Sequence, residues 1–310
     1  MDQIVLVDGE NGGDRTVSDE GLAHLNFLLA EACAAAHAAL TSWQAENALL
    51  STPLSEIIGV MDAHRLTVAN DLGDAGFVLD ETKEIQFNAS ALERVVRFVV
   101  DLFGNGLPAE EKRNVEIDAV GLYIFHELSH VLQNFITHPQ AKAIKRTFGA
   151  DEVPRMDVIS DIRAAHCVAL TKLDRGKSLE DSAYLKCYRD NIMTSYEVLI
   201  NVFGVQNSDG KKKRALGLLT NAMLAQEAIN AEPEAKAELI KQAVRPTFVA
   251  VDPEDQAILC QICGSGGWTI LFHGVVKTNR ISLEEMWNLV GDIDPADIIA
   301  LLQASYQQLK

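Results

Sequence analysis

A chain of 310 residues, 48% of them hydrophobic, can bury a sizeable core as one large domain or two modest ones. The formal net charge of −17 argues against a nucleic-acid partner and against binding to an anionic membrane surface. No stretch approaches the roughly 18 to 20 apolar residues of a membrane span, and Met1–Asp8 lacks a signal-peptide pattern. We therefore expect a cytoplasmic protein whose substrate or partner, if macromolecular, is a protein or peptide.

The amino-terminal part of the chain predicts a long helix followed by a small sheet. After a short strand at Ile4–Val7, an Ala- and Leu-rich helix runs from about Ser18 to Asn47, with Ser18 as its N-cap. The pattern then becomes β-like in three segments, of which the last two are joined by a polar connection typical of a hairpin: Arg65–Asn70, Gly76–Leu79 and Glu84–Phe87.

The rest of the chain is helical in pattern. Ser90 and Glu93 have capping-box spacing at the start of a helix to Phe103, and helical periodicity returns from about Val115 to Phe135. Further helices are predicted at 154–173, 179–203, 211–231, 233–244, 282–290 and 295–309, with a short strand at 247–251 and a strand or helix at 268–276. We predict a predominantly helical α+β fold, with residues 1–206 and a mostly helical region 207–310 as separate domains or as one.

Two histidines one helical turn apart indicate a metal site. His126 and His130 lie at i and i+4, about 40° apart around the helix axis, so both can bind one ion. Glu127 lies about 100° from His126, where its carboxylate can take a proton from water at the metal. The flanking residues are apolar, and two histidines and a glutamate without partners are costly to bury there. The alternative is a pair of ordinary core histidines with a solvent-facing glutamate.

The stretch Ile124–Leu132, IFHELSHVL, resembles the active-site helix of the zincin metallopeptidases. That resemblance implies a zinc-dependent peptidase with a small sheet before the motif helix and a third zinc ligand on a later helix. In the gluzincin branch the later helix carries Glu-x-x-x-Asp, whose glutamate binds zinc and whose aspartate supports a ligand histidine. A looser similarity, to the phage-exclusion peptidase called Lit, covers about Ile85–Ala169 and adds no motif beyond the zincin pattern.

Two aspartates match the place of the third ligand. Asp157, 27 residues after His130, and Asp161 share one helix face with Ala164, whose small side chain allows close packing. Asp157 stands where gluzincins have glutamate, and aspartate is one methylene shorter. Because Asp157 holds the place of the ligand glutamate in the gluzincin pattern, we expect Asp157 to bind zinc and Asp161 to orient a histidine. Because the aspartate side chain is shorter, Asp161 is the alternative ligand. His166 is a further alternative, but it lies about 180° from Asp157 around the helix.

Substrate contacts are less specified by the sequence. Strand Glu84–Asn88 is the candidate edge for pairing with an extended peptide. Four residues could stabilise the developing oxyanion, and the sequence does not choose among them: Tyr184, Tyr188, Tyr196 and His273. The basic run Lys211–Arg214 is predicted to be a solvated helix start, and Cys260 and Cys263 form only half of a zinc knuckle.

Two functions fit these patterns. The first is a zinc metalloendopeptidase with Glu127 as general base. The second is a catalytically inactive protein on a zincin scaffold, acting as a sensor or binding module. A carboxylate-bridged di-iron site needs a second Glu-x-x-His on another helix, and the sequence contains none. No feature indicates an oligomeric state.

Overall fold

The computed structural model describes residues 5–7, 16–44, 48–73, 75–79, 83–133, 153–176 and 181–204, together with individual positions between 211 and 229. Over these residues the protein is α+β and predominantly helical, which confirms the coarse prediction. The elements predicted after residue 231 lie outside the described residues, as do Cys260, Cys263 and His273. No helix in the described part is long and apolar enough to cross a membrane.

The described residues include four strands and six helices. The strands are β1 (Val5–Val7), β2 (Arg65–Ala69), β3 (Ala75–Leu79) and β4 (Glu84–Asn88). The helices are α1 (Asp19–Gln44), α2 (Ala48–Ala63), α3 (Ala89–Phe103), α4 (Ala109–Gln133), α5 (Val153–Gly176) and α6 (Asp181–Val198). A π-helical turn, Leu199–Phe203, continues α6.

The strands form one mixed sheet in the order β1-β3-β4-β2. β3 and β4 pair antiparallel, which confirms the predicted hairpin, and β1 pairs antiparallel with the other side of β3. β2 runs parallel to β4 in a register that sets Val68 opposite Phe87. Phe77, Ile85 and Phe87 are buried, so this face of the hairpin joins the main core.

Helix α4 is the centre of the fold. It contacts α1, α2, α3 and α5, and every residue from 119 to 130 is buried. Helix α5 is buried over residues 160–171 in the same way. The two helices come close at Gly121, where a Cβ atom would lie 3.0 Å from Val168 Cγ2. Polar side chains in this region are therefore removed from water and need partners within the protein.

Three features differ from the sequence prediction: one helix, the start of another helix and an N-cap. Helix α2 was not predicted, because Pro53 and Gly59 interrupt its apolar pattern, although its buried residues Leu54 and Ile57 secure it by packing. Helix α4 begins six residues earlier than predicted, in a polar stretch that carries two glutamates in its first turn. The predicted capping box at Ser90 is wrong, because the Asn88 side chain caps α3 by accepting from the Ala91 amide. The Ser18 cap is confirmed by its bond from the Gly21 amide.

Candidate metal centre

The candidate centre lies between α4 and α5. Helix α4 contributes His126, Glu127 and His130, each 5% exposed, and α5 contributes Asp157, which is 8% exposed. Four ionisable side chains therefore share a buried space between two apolar helices. Such a cluster is costly unless its members pair with one another or bind a cation.

Three ligand atoms converge within this space. His126 Nε2 lies 3.0 Å from His130 Nε2, and Asp157 Oδ1 lies 3.2 Å from His130 Nε2 and 4.0 Å from His126 Nε2. Among the described residues, these three form the group whose ligand atoms all lie within 4.8 Å of one another. The structure thus brings together the two histidines and the aspartate that the sequence selected.

The donor set and its spacing fit a small divalent cation. Ligand atoms about 2.0 to 2.1 Å from a tetrahedral zinc ion lie about 3.3 Å from one another, and the observed separations of 3.0, 3.2 and 4.0 Å bracket that value. Two imidazoles and a carboxylate are a common ligand set for catalytic zinc. The same set also suits other first-row metals, so the donors define a site class rather than a single element.

Asp161 lies behind His126, away from the cluster of ligand atoms. Its Oδ1 lies 2.8 Å from His126 Nδ1, the ring nitrogen turned away from the other ligand atoms, although the ring N–H does not point straight at this oxygen. A carboxylate in this position favours the tautomer that leaves the Nε2 lone pair free for a metal. Asp161 thus lies beside the far ring nitrogen of His126, whereas Asp157 belongs to the three-residue cluster.

Arg214 is the residue that the sequence analysis missed. Its Nε donates to Asp161 Oδ2 at 2.7 Å and its Nη2 to Asp161 Oδ1 at 2.8 Å, while its Nη1 lies 4.0 Å from Asp157 Oδ2. The arginine side chain is only 11% exposed. The prediction that the basic run is a solvated helix start is therefore wrong for Arg214, because its guanidinium group is buried and paired with Asp161.

The two aspartates are held in their ionised form. Burial opposes ionisation of Asp157, but the Arg214 guanidinium, helped by His130 and His126, outweighs it and lowers the pKa of this carboxyl. Burial likewise opposes ionisation of Asp161, whose pKa Arg214 and His126 hold well below its ordinary value. Both aspartates can therefore act as anionic acceptors or ligands near neutral pH.

Strand β3 fixes the surroundings of Glu127. A Cβ atom added to Gly76 would lie 2.5 Å from Glu127 Oε1 and 2.8 Å from Cδ, so any other residue at this position would displace the carboxylate from where it now lies. The Tyr123 hydroxyl, one helical turn before Glu127, donates to the Gly76 carbonyl at 2.9 Å. A lone glycine inside a strand often marks such a close approach, and that signal could have pointed to Gly76.

A cavity of about 40 Å³ adjoins the centre. Its polar lining comes from Tyr123, His126, Glu127, Asp161, Ser195 and Arg214, and its apolar lining from Val95, Leu122, Val198, Leu199 and Phe203. This volume accommodates a few water molecules. The π-helical turn forms part of the wall, and such turns are frequent at functional sites.

The other candidate residues lie apart from the ligand atoms. His166 Nδ1 lies 2.5 Å from the Tyr184 hydroxyl, so this pair satisfies itself in the core, and burial raises the pKa of Tyr184. Burial also raises the pKa of Tyr188, which is fully buried. Neither tyrosine lines the cavity, and neither does Tyr196.

The predicted role of β4 as an edge strand is wrong. β4 pairs with β3 on one side and with β2 on the other, so its main-chain groups have no open side for an added strand. The outer strands of the described sheet are β1 and β2. Edge position depends on long-range pairing, which alternation within a single strand does not reveal.

Comparisons with protein-family models, with curated proteins and with solved structures find no match to this chain. The zincin resemblance of the motif helix therefore stays an expectation. What the chain can do follows from the ligand atoms, the carboxylates around them and the adjoining cavity.

Proposed function

We propose that this protein is a zinc-dependent metallopeptidase that hydrolyses peptide bonds of an intracellular protein or peptide. In this proposal His126, His130 and Asp157 hold the zinc ion, Asp161 orients His126, and Glu127 is the general base. The observation that carries it is the convergence of three ligand atoms beside a buried glutamate on the same helix turn. A metal held only for stability has no need of that glutamate.

Each side chain has a distinct task in the proposed reaction. When bound, zinc supplies Lewis acidity that polarises a carbonyl oxygen and makes water easier to deprotonate. Glu127 accepts the proton of the attacking water at a carboxylate oxygen and delivers it to the nitrogen of the leaving amine. His126 and His130 stay neutral and direct their Nε2 atoms to the ion. The Glu127 carboxylate lies against Gly76 of β3, and the hydrogen bond from the Tyr123 hydroxyl to the Gly76 carbonyl links α4 to this strand.

Metal analysis of the purified protein beside two variants tests the site. We expect about one zinc per wild-type chain, loss of zinc in Asp157→Ala, and weakened binding in Asp161→Ala because His126 is no longer oriented. The reverse order, with Asp161→Ala losing the metal and Asp157→Ala retaining it, would make Asp161 the ligand. A zinc-free wild-type protein would refute the proposed metal centre.

Glu127→Gln tests the chemistry separately from the metal. Glutamine has nearly the same shape but cannot accept the proton, so we expect zinc to stay bound while cleavage falls by about 10²- to 10⁴-fold. Substrates are found by digesting a whole proteome with the wild-type protein and sequencing the new peptide termini. Undiminished cleavage by Glu127→Gln would rule out this glutamate as the base.

The small cavity favours a second candidate function. A centre at most 8% exposed, beside a cavity of about 40 Å³, also suits a protein that binds metal and senses a partner without turnover. Stoichiometric zinc without any new peptide termini in the proteome digest would favour this binding function. Cleavage that depends on Glu127 would favour the peptidase.

A further inference from the structure

We infer that Arg214 is a positioning residue of the metal centre, which holds Asp161 in place so that His126 presents Nε2 to the metal. The inference rests on the proposed function, since it assigns a task within the same centre. Arg214 lies 53 residues beyond Asp161 in the sequence, outside the segment that contains the histidines and aspartates. The centre therefore requires residues from the second of the two predicted regions.

The geometry of the contact supports this role. A guanidinium group presents donors in a rigid fork, and Arg214 uses Nε and Nη2 to reach both oxygens of Asp161, at 2.7 and 2.8 Å. Such a two-point contact fixes the plane of the carboxylate as well as its position. Asp161 Oδ1 is also the atom 2.8 Å from His126 Nδ1, so fixing the plane also fixes the acceptor that faces the imidazole.

The charge of the centre supports the same role. Glu127, Asp157 and Asp161 carry three negative charges when ionised, whereas metal-binding histidines are neutral. A divalent cation together with one guanidinium group balances these three charges, and Arg214 contacts both aspartates. Buried carboxylates are tolerated when paired in this way, and leaving one uncompensated is strongly unfavourable.

The segment that carries Arg214 is anchored in the core. Ala215 and Leu218 are buried in the main hydrophobic cluster, and Lys211 Nζ donates to the Phe203 carbonyl at 3.0 Å. These contacts hold the arginine between the π-helical turn and α5. A positioning role needs such a fixed support, because a mobile guanidinium group could not set the orientation of a carboxylate.

Zinc affinity of full-length variants, measured by chelator competition, tests the inference without any substrate. Arg214→Ala should bind zinc about 10- to 100-fold more weakly than wild type, as expected for a residue that supports a ligand from behind. Arg214→Lys keeps the positive charge but lacks the two-point donor geometry of guanidinium, so its zinc affinity should fall between those of wild type and Arg214→Ala. Arg97→Ala is the control, because it also removes an arginine paired with a carboxylate, but from the surface ion pair with Glu93, and its zinc affinity should stay within about twofold of wild type.

A double-mutant cycle shows whether Arg214 acts through Asp161. If it does, Arg214→Ala combined with Asp161→Asn should weaken zinc binding no more than Asp161→Asn alone. The visible absorption of the Co²⁺-loaded protein should change in Arg214→Ala and stay unchanged in Arg97→Ala, because only the first substitution alters a ligand's orientation. If Arg214→Ala fails to fold, the same cycle is run with Arg214→Lys.

Three results would overturn the inference while leaving the metal centre intact. These are wild-type zinc affinity in Arg214→Ala, strictly additive losses in the cycle, and full recovery of affinity in Arg214→Lys, which would show that charge alone suffices. Failure of the wild-type protein itself to bind zinc would instead overturn the proposed function, and this inference with it.

Discussion

Replacing Gly76 by alanine should disable the proposed catalytic base while leaving the metal site whole. The added Cβ atom would lie 2.5 Å from Glu127 Oε1, 2.8 Å from Cδ and 2.9 Å from Oε2. Glu127 is not among the proposed ligands, and the Tyr123 hydroxyl bonds to the Gly76 carbonyl oxygen, which the substitution keeps. The perturbation therefore falls on the glutamate carboxylate.

The size of the effect follows from these distances. Ordinary contacts of a Cβ atom lie at 3.4 to 4 Å, so the Glu127 carboxylate must withdraw by about 1 Å. A displacement of about 1 Å of a catalytic group can cost about 100-fold in rate, so we expect kcat to fall by about that factor. The cost in folding is smaller, about 0.5 to 1.5 kcal/mol for an off-rotamer glutamate.

The assay compares zinc content, thermal unfolding and kcat in Gly76→Ala and Gly59→Ala. Gly59 is the matched control, because a Cβ atom there would meet nothing within 4 Å and the residue lies in α2. Gly59→Ala should keep wild-type kcat and gain up to about 1 kcal/mol in stability. Wild-type kcat in zinc-loaded Gly76→Ala would refute the proposed role of Glu127 or its placement against β3.

Three further predictions concern the N-cap of α3, the loss of stability at low pH and the reactivity of two buried thiols. Asn88→Ala should cost about 2 to 4 kcal/mol in urea unfolding, because Asn88 caps α3 and also donates to two backbone carbonyls, whereas Ser90→Ala should change little. Because the pKa of Asp161 is lowered by folding, its stabilising effect on the metal-free protein is present above about pH 4 and is lost as the pH falls further. The difference in Tm between wild type and Asp161→Asn should therefore narrow from pH 7 to pH 3, and a constant difference would contradict the ion pair. Burial raises the pKa of the Cys33 and Cys167 thiols to about 12, so iodoacetamide at pH 8 should label them only after unfolding, as followed by peptide mapping. Rapid labelling of native Cys167 would show that its placement in the core is wrong.

Local geometry explains what the sequence could predict. Residues at i and i+4 of a helix share a face whatever surrounds them, so the proximity of His126 and His130 follows from the helix alone. The β3–β4 hairpin is also local, because a short polar connection joins two β-like segments. Helix α2 was missed for the opposite reason, because packing of Leu54 and Ile57 against the rest of the core overrides a weak local pattern.

Contacts between distant segments explain which features could not be predicted from the sequence. The position of β4 inside the sheet depends on its pairing with β2, and the approach of β3 to Glu127 depends on how α4 crosses the sheet. Asp157 was selected through the resemblance to gluzincins, since no local rule brings a residue 27 positions beyond His130 to its side. Arg214 had no such guide, because a basic run in an acidic chain is most often a solvated surface.

The contacts of Arg214 also bear on how the proposed centre and the fold depend on each other. A divalent ion and the guanidinium group would compensate the same two aspartates, which share one face of α5. Loss of the ion or of the guanidinium group leaves negative charge on the aspartates that is only partly balanced. Partly balanced charge between apolar helices is unfavourable, because the carboxylates are buried away from water. Metal affinity and the packing of the segment around Arg214 must then be linked, because zinc binding and the Arg214 ion pairs both depend on the ionised form of the two aspartates. A centre of this kind depends on the packing of α4, α5 and that segment together, and none of the three holds it alone.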